Sequence, residues 1–242
     1  MSGHRVAVSA HRGGAEVAPA ATMEAYADAL AAGCDYIEFD VRRTRDRELV
    51  VFHNRRVRVG RGHLSGLSRS ELVVAAGYDV LSVPELLASM DGRSKAHIDV
   101  KESGYERTIV EMAGEILGPE NFVITSGDDV IAAVKRDFPE VRAAVSIGRG
   151  WREVLLPHPI RSRWRDVDPM LRVRACGADA VAVHYRLANQ GVLATCAREG
   201  IGAMVWTVND TAMIESFMHD ARVEVLITDR PRFAMSVRND VA

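Results

Sequence analysis

Ala32-Gly33-Cys34-Asp35-Tyr36-Ile37-Glu38-Phe39-Asp40-Val41 joins a helix end to a strand with no loop between them, the junction of a βα repeat. Gly33 follows the amphipathic run Thr22–Ala32 at the place where helices commonly end in a left-handed residue. The chain then passes directly into a short apolar run free of turn residues, which reads as a buried strand. The same alternation continues outward in both directions. Apolar runs lie at Val6–Ala10, Tyr36–Val41, Leu49–Phe52, Ala96–Val100, Phe122–Thr125, Arg142–Ile147, Ala180–Val183, Ala203–Val208 and Val225–Thr228. Helix-like stretches separate them at Val83–Met90, Tyr105–Leu117, Asp128–Phe138, Asp168–Cys176, Asn189–Glu199, Thr211–His219 and Arg232–Val241. Gly118, Gly177 and Gly200 follow helix ends, and Ser82-Val83-Pro84-Glu85 reads as a helix start.

With Leu49–Phe52 taken as an extension beside the second strand, eight strands alternate with helices along 242 residues. That length suits a (β/α)8 barrel, which typically needs about 250 residues. No composition break marks a linker, so the expectation is one α/β domain over residues 1–242, a TIM barrel with a short extra segment after the second strand. Asn54–Val80 and Gly148–Arg165 read as long irregular loops.

A hydrophobic share of 48%, a charged share of 26% and a net charge of −2 exclude a disordered or collagen-like chain, and give no nucleic-acid footprint. Cys34, Cys176 and Cys196 have no paired spacing, which argues against a disulfide framework or a thiolate zinc site. No export signal or transmembrane segment is read, and a cytoplasmic location is expected. The cations are almost all Arg: only Lys95, Lys101 and Lys135 are lysines among 31 basic residues.

In a parallel barrel the active site forms where strands end. His11-Arg12-Gly13 ends the first run, Glu38-Phe39-Asp40 the second, His53 the extension and Asp99-Val100-Lys101 the third, while Trp206 and Asn209 close the seventh. Glu38 and Asp40 are two apart on a strand and so point the same way. Converging carboxylates repel unless a cation or proton lies between them. With Asp99 as a third oxygen donor, the set suits Mg2+ or Ca2+. The alternative, acids facing solvent on an edge strand, sits poorly with apolar Tyr36, Ile37, Phe39 and Val41. His11 and His53 are the candidate acid/base pair, because imidazole titrates near neutrality. Arg12 and Lys101 are candidate holders of a phosphoryl group, the alternative being ion pairs to Glu38 or Asp40. His184, which also ends a strand, reads as structural or as a support to the site from behind; His4, His63, His97, His158 and His219 read as surface or packing residues.

At these residues the chain resembles the glycerophosphodiester phosphodiesterase family. The likeness rests on Ala10-His11-Arg12-Gly13, Ala32 to Val41, Leu49-Val50-Val51-Phe52-His53-Asn54, His97-Ile98-Asp99-Val100-Lys101, Trp206-Thr207-Val208-Asn209-Asp210 and Leu226-Ile227-Thr228-Asp229-Arg230-Pro231. It implies a metal-dependent barrel enzyme of lipid metabolism that hydrolyses a small-molecule glycerophosphodiester to glycerol 3-phosphate and an alcohol. A neighbouring hydroxyl of the substrate would attack first, and water would open the resulting cyclic phosphate. His11 and His53 become the acid/base pair, Glu38, Asp40 and Asp99 the metal ligands, Arg12 and Lys101 the phosphate cations, and Trp206 a pocket wall.

Three departures from the family pattern bear on substrate choice. Pro19-Ala20-Ala21-Thr22 stands where Pro-Glu-Asn-Thr is usual, with Glu16 the nearby acid that could reach the vacancy. His53-Asn54-Arg55-Arg56 replaces His-Asp-Pro-Thr. Asp99 replaces the commoner Glu, as in the sphingomyelinase D-like phospholipases, whose headgroup release with a cyclic phosphate product is one alternative reaction. A non-catalytic phosphodiester-binding barrel is another. Arg55, Arg56, Arg58, Arg61 and Arg69 in the first loop, and seven further Arg with Trp151 and Trp164 in Gly148–Arg174, read either as a basic rim toward anionic substrates or a lipid surface, or as exposed Arg of an Arg-rich chain with two anchoring Trp.

Overall fold

The computed structural model describes residues 5–57, 62–148 and 169–241. Its strands are β1 (Ala7–Ala10), β2 (Tyr36–Arg43), β3 (Leu49–Val51), β4 (Lys95–Val100), β5 (Phe122–Ser126), β6 (Ala143–Ile147), β7 (Ala180–His184), β8 (Gly202–Trp206) and β9 (Val225–Thr228). β1 pairs with both β2 and β9, closing a ring in which eight strands run parallel in the order β1, β2, β4, β5, β6, β7, β8, β9. β3 pairs antiparallel to the end of β2 and is the extra segment expected from the sequence. The fold is a TIM barrel. Its strands are buried on both faces, which is why their sequences are nearly unbroken apolar runs.

The principal helices are α1 (Met23–Ala31), α2 (Arg69–Ala76), α3 (Val83–Met90), α4 (Glu106–Leu117), α5 (Asp128–Asp137), α6 (Pro169–Cys176), α7 (Leu193–Glu199), α8 (Thr211–Met218) and α9 (Pro231–Val241). Ile109, Val110 and Ala113 of α4 and Val130, Ile131 and Val134 of α5 are buried residues at helical spacing that join the layer between helices and sheet. The interior of the barrel holds a separate small cluster, including Val123, Ala144, Ala182, Met204 and Ile227.

The sequence reading is corrected in the segment 54–80, which is not simply an irregular loop. It contains a turn at Leu64–Gly66 and the helix α2. Ser68 and Glu71 cap α2 reciprocally, and Gly77 ends it in the left-handed region at φ 78. Leu72 and Ala76 pack with Val50, Phe52, Leu64 and Val80 in a satellite core under the strand extension. The Ser-x-x-Glu signal was present in the sequence, but the helix has only 8 residues and its apolar periodicity is weak. The Arg-rich stretch 149–168, with Trp151 and Trp164, and Arg58 and Arg61 lie outside the described residues.

Candidate active site

Parallel register places the site. Asp40 of β2 pairs with Asp99 of β4, and Glu38 pairs with His97. Because alternate residues share a face, Glu38, Asp40 and Asp99 point into the same end of the barrel. One oxygen from each lies within 4.8 Å of the others. Glu38 and Asp40 are buried, and Asp99 is nearly so.

The cations follow. Lys101 Nζ lies 2.5 Å from Asp40 Oδ1 and 2.6 Å from Asp99 Oδ2. Arg12 is held by its backbone, whose N–H donates to Glu38 Oε2 at 2.8 Å. That contact requires an unusual turn: Arg12 has φ 49 and Gly13 has φ 80. A Cβ on Gly13 would come within 2.8 Å of the Ala25 and Tyr26 backbone, so glycine is required there both by conformation and by space. Burial first, and then the Asp40 carboxylate, push Glu38 up to about 7, against the opposing charges of His11 and Lys101.

His11 stands at the end of β1. Its Nδ1 is 2.6 Å from Asp229 Oδ1 and its Nε2 is 3.9 Å from Glu38 Oε2. Asp229 is in turn clamped by Asn209, whose Nδ2 donates to Asp229 Oδ2 at 2.5 Å and whose Oδ1 accepts from the Asp229 backbone N–H at 2.9 Å. Burial alone would lower the His11 pKa. The Glu38 charge and the Asp229 hydrogen bond outweigh it, and the pKa is raised.

His53 stands exposed at the rim beyond β3, with Nδ1 3.0 Å from Asn54 Oδ1. Arg42 Nε donates to the His53 carbonyl at 3.0 Å while its guanidinium pairs with Glu102 at 2.8 Å, which fixes the backbone carrying the ring. Partial desolvation of the ring pulls the His53 pKa down, ahead of the raising effect of Asp40. Both imidazoles therefore meet an oxygen acceptor at Nδ1. Nδ1 is assigned as the protonated nitrogen, which leaves Nε2 of each ring for substrate.

His11, Arg12, Glu38, His53, Asp99, Lys101 and Asp229 line one cavity of about 840 Å³, and Asp40 lies buried behind Lys101. Among its other walls are Trp206, His184, Tyr185 and Arg186, with Thr125 and Ser146 toward the floor. Beneath the carboxylates His97 bridges Ser9 Oγ and Thr125 Oγ1, each at 3.0 Å, and is a packing residue of polar kind.

The geometry thus brings together His11, Arg12, Glu38, Asp40, His53, Asp99 and Lys101, and places Trp206 on the same cavity. Two residues named in the sequence motifs, Asn209 at the end of the seventh run and Asp229 in the closing block, had no chemical role there; the structure pairs them behind His11. Glu16 does not fill the Ala20-Ala21 vacancy. Its carboxylate accepts from the backbone N–H of Arg232 at 2.7 Å and caps α9. In the departing segment itself, Ala21 adopts φ 65 and Thr22 caps α1 through Ala25 N–H at 3.2 Å.

The donors of the carboxylate cluster fit a hard divalent cation. All are carboxylate oxygens, they converge, and buried Asp40 Oδ1 makes no aligned hydrogen bond despite its contact with Lys101.

The model of the glycerophosphoryl diester phosphodiesterase family matches residues 11–121. A Mycobacterium tuberculosis protein named Probable glycerophosphodiester phosphodiesterase 2 is 28% identical over 94% of this chain and 88% of its own length. An Arabidopsis thaliana glycerophosphodiester phosphodiesterase is 26% identical over 98% of this chain and 75% of its own. Among solved structures, a glycerophosphodiester phosphodiesterase of Parabacteroides distasonis superposes with a TM-score of 0.79 at 21% identity, covering 98% of both chains. An Oleispira antarctica phosphodiesterase in complex with its product sn-glycerol-3-phosphate gives 0.76 at 17% identity over 97% of both. The barrel, the strand-end motifs and these likenesses agree: residues 11–121 match the glycerophosphoryl diester phosphodiesterase family, and over nearly its whole length the chain is similar to proteins of that name.

Proposed function

We propose that this protein hydrolyses glycerophosphodiesters to glycerol 3-phosphate and an alcohol. The observation that carries this reading is the convergence at one cavity, from the ends of β1, β2, β3 and β4, of His11, His53, Arg12 and Lys101 with the carboxylate cluster Glu38, Asp40 and Asp99. The relatives bearing the phosphodiesterase name and the neighbour that holds glycerol 3-phosphate support the substrate class.

Glu38, Asp40 and Asp99 would hold the divalent ion, Mg2+ or Ca2+. Bound there, the ion supplies positive charge to the non-bridging phosphoryl oxygens. Lys101 and Arg12 hold the same oxygens from the protein side, Arg12 by its planar fork and Lys101 as a point charge. His53, with its lowered pKa, is neutral near pH 7 and takes the proton from the attacking hydroxyl of the glycerol arm. His11, whose raised pKa keeps it protonated to higher pH than His53, gives a proton to the leaving alcohol oxygen. The exchange leaves His53 protonated and His11 neutral, so each holds the proton state needed for its reverse role when water opens the cyclic phosphate.

The test is substitution with two readouts. His11→Ala and His53→Ala should each lower turnover by about 10²–10⁴-fold while calorimetric ion binding is retained. Near-normal turnover in both variants would remove the acid/base assignment.

A further inference from the structure

The cavity has two unlike walls. In the ring of eight parallel strands β7 lies opposite β2 and β8 opposite β4. The carboxylates and Lys101 therefore face, across the mouth, the residues at the ends of β7 and β8: His184, Tyr185, Arg186 and Trp206. The His184 ring centroid is 4.5 Å from that of Tyr185 and meets Trp206 edge-on at 5.1 Å. The Arg186 guanidinium carbon lies 5.6 Å from the Tyr185 ring centroid, and its Nε donates to Tyr185 Oη at 3.2 Å. The Arg186 backbone N–H donates to His184 Nδ1 at 3.3 Å, which ties this cation to the ring beside it. Asp210, the acid that follows Trp206, caps α8 by accepting from Met213 N–H at 3.0 Å.

Resting on the diesterase reading above, we propose that this wall seats the ester arm lying across the mouth from the phosphoryl group, and that Arg186 makes it select polyol or anionic arms over quaternary ammonium arms. A quaternary ammonium group is recognised by an open aromatic face or a carboxylate. Here the Tyr185 face already carries a guanidinium, and Asp210 is engaged at a helix start. An incoming cation would meet Arg186 well inside the screening length, about 8 Å at physiological salt. Hydroxyl, carboxylate or phosphate oxygens can instead accept from its N–H fork.

The experiment compares kcat/KM for glycerophosphoinositol and glycerophosphocholine in the wild type, Arg186→Gln and Arg186→Glu, with the divalent ion saturating. The ratio within one preparation cancels any change in folded fraction. The wild type should favour the inositol ester by about tenfold, the ratio should approach one in Arg186→Gln, and it should invert in Arg186→Glu. Raising the salt should narrow the wild-type preference. A ratio that is the same in all three proteins, or a wild-type preference for choline, overturns the selectivity and leaves the diesterase reading standing. Turnover of neither ester by the wild type overturns both.

Discussion

Asp229 holds His11: the carboxylate Oδ1 lies 2.6 Å from the imidazole Nδ1, across 218 residues of sequence, at the seam where the first and last strands close the barrel. Asn209 grips the other carboxylate oxygen, so the pair is oriented from behind. The arrangement follows the logic by which a buried acid fixes the tautomer and tilt of a catalytic histidine. Asp229→Asn keeps the shape but can present an amide N–H to Nδ1, favouring the wrong tautomer. Turnover should fall by about 10²–10⁴-fold with KM and ion affinity little changed. A fall confined to KM would contradict a positioning role.

The pH profile follows from the opposite shifts of the two histidines. Activity should rise as pH climbs through the lowered pKa of His53, and fall as pH climbs through the raised pKa of His11. The stability linkage for His11 has the same sense as its alkaline limb. Its pairing stabilises the fold fully below its ordinary value of 6.5, and that contribution is lost as pH rises through the higher folded value. In Asp229→Asn the alkaline limb should move to lower pH, because one of the two carboxylates that raise the His11 pKa is gone. Rate profiles of wild type and variant check this, and an unmoved limb would break the link between the residues.

Ion binding should itself depend on pH. Glu38 is pushed up to about 7, so in ion-free protein the fold loses stability as pH rises from the ordinary carboxylate value of 4.5 through about 7, where a buried charge forms. A divalent ion requires that charged form. Calorimetric affinity for Mg2+ or Ca2+ should therefore weaken as pH falls below 7, with proton release on binding. Glu38→Gln should bind the ion more weakly and lose that pH dependence; an unchanged isotherm would remove Glu38 from the ligand set.

Gly13→Ala tests the turn that presents Arg12 to Glu38. With φ 80 and backbone atoms 2.8 Å from the added methyl, the variant should lose about 1–3 kcal/mol of stability and shift the Arg12 N–H away from Glu38. Thermal unfolding and the ion isotherm read the two effects. Wild-type behaviour in both would mean that the turn has room the structure does not show.

The barrel was legible in the sequence because each βα unit declares itself locally, by an apolar run, a helical period and a glycine at the junction. Glu38, Asp40 and Asp99 were legible for the same reason: alternation within β2 sets the face, and a strand end sets the height. Asp229 was not, because its meaning lies in β1–β9 closure, a contact between the two ends of the sequence that no local pattern encodes. The helix α2 escaped for a different reason. It is short, and what holds it is the satellite core around Leu64 and Leu72, a tertiary contact that outweighs a weak helical period.

Product identification separates glycerophosphodiester hydrolysis from headgroup release and from mere binding. Incubated with a glycerophosphodiester and saturating Mg2+ or Ca2+, the protein should release glycerol 3-phosphate and the free alcohol in equal amounts, with any cyclic phosphate appearing early and then disappearing. A cyclic phosphate that accumulates as the final product, or no turnover with either ion, would contradict hydrolysis.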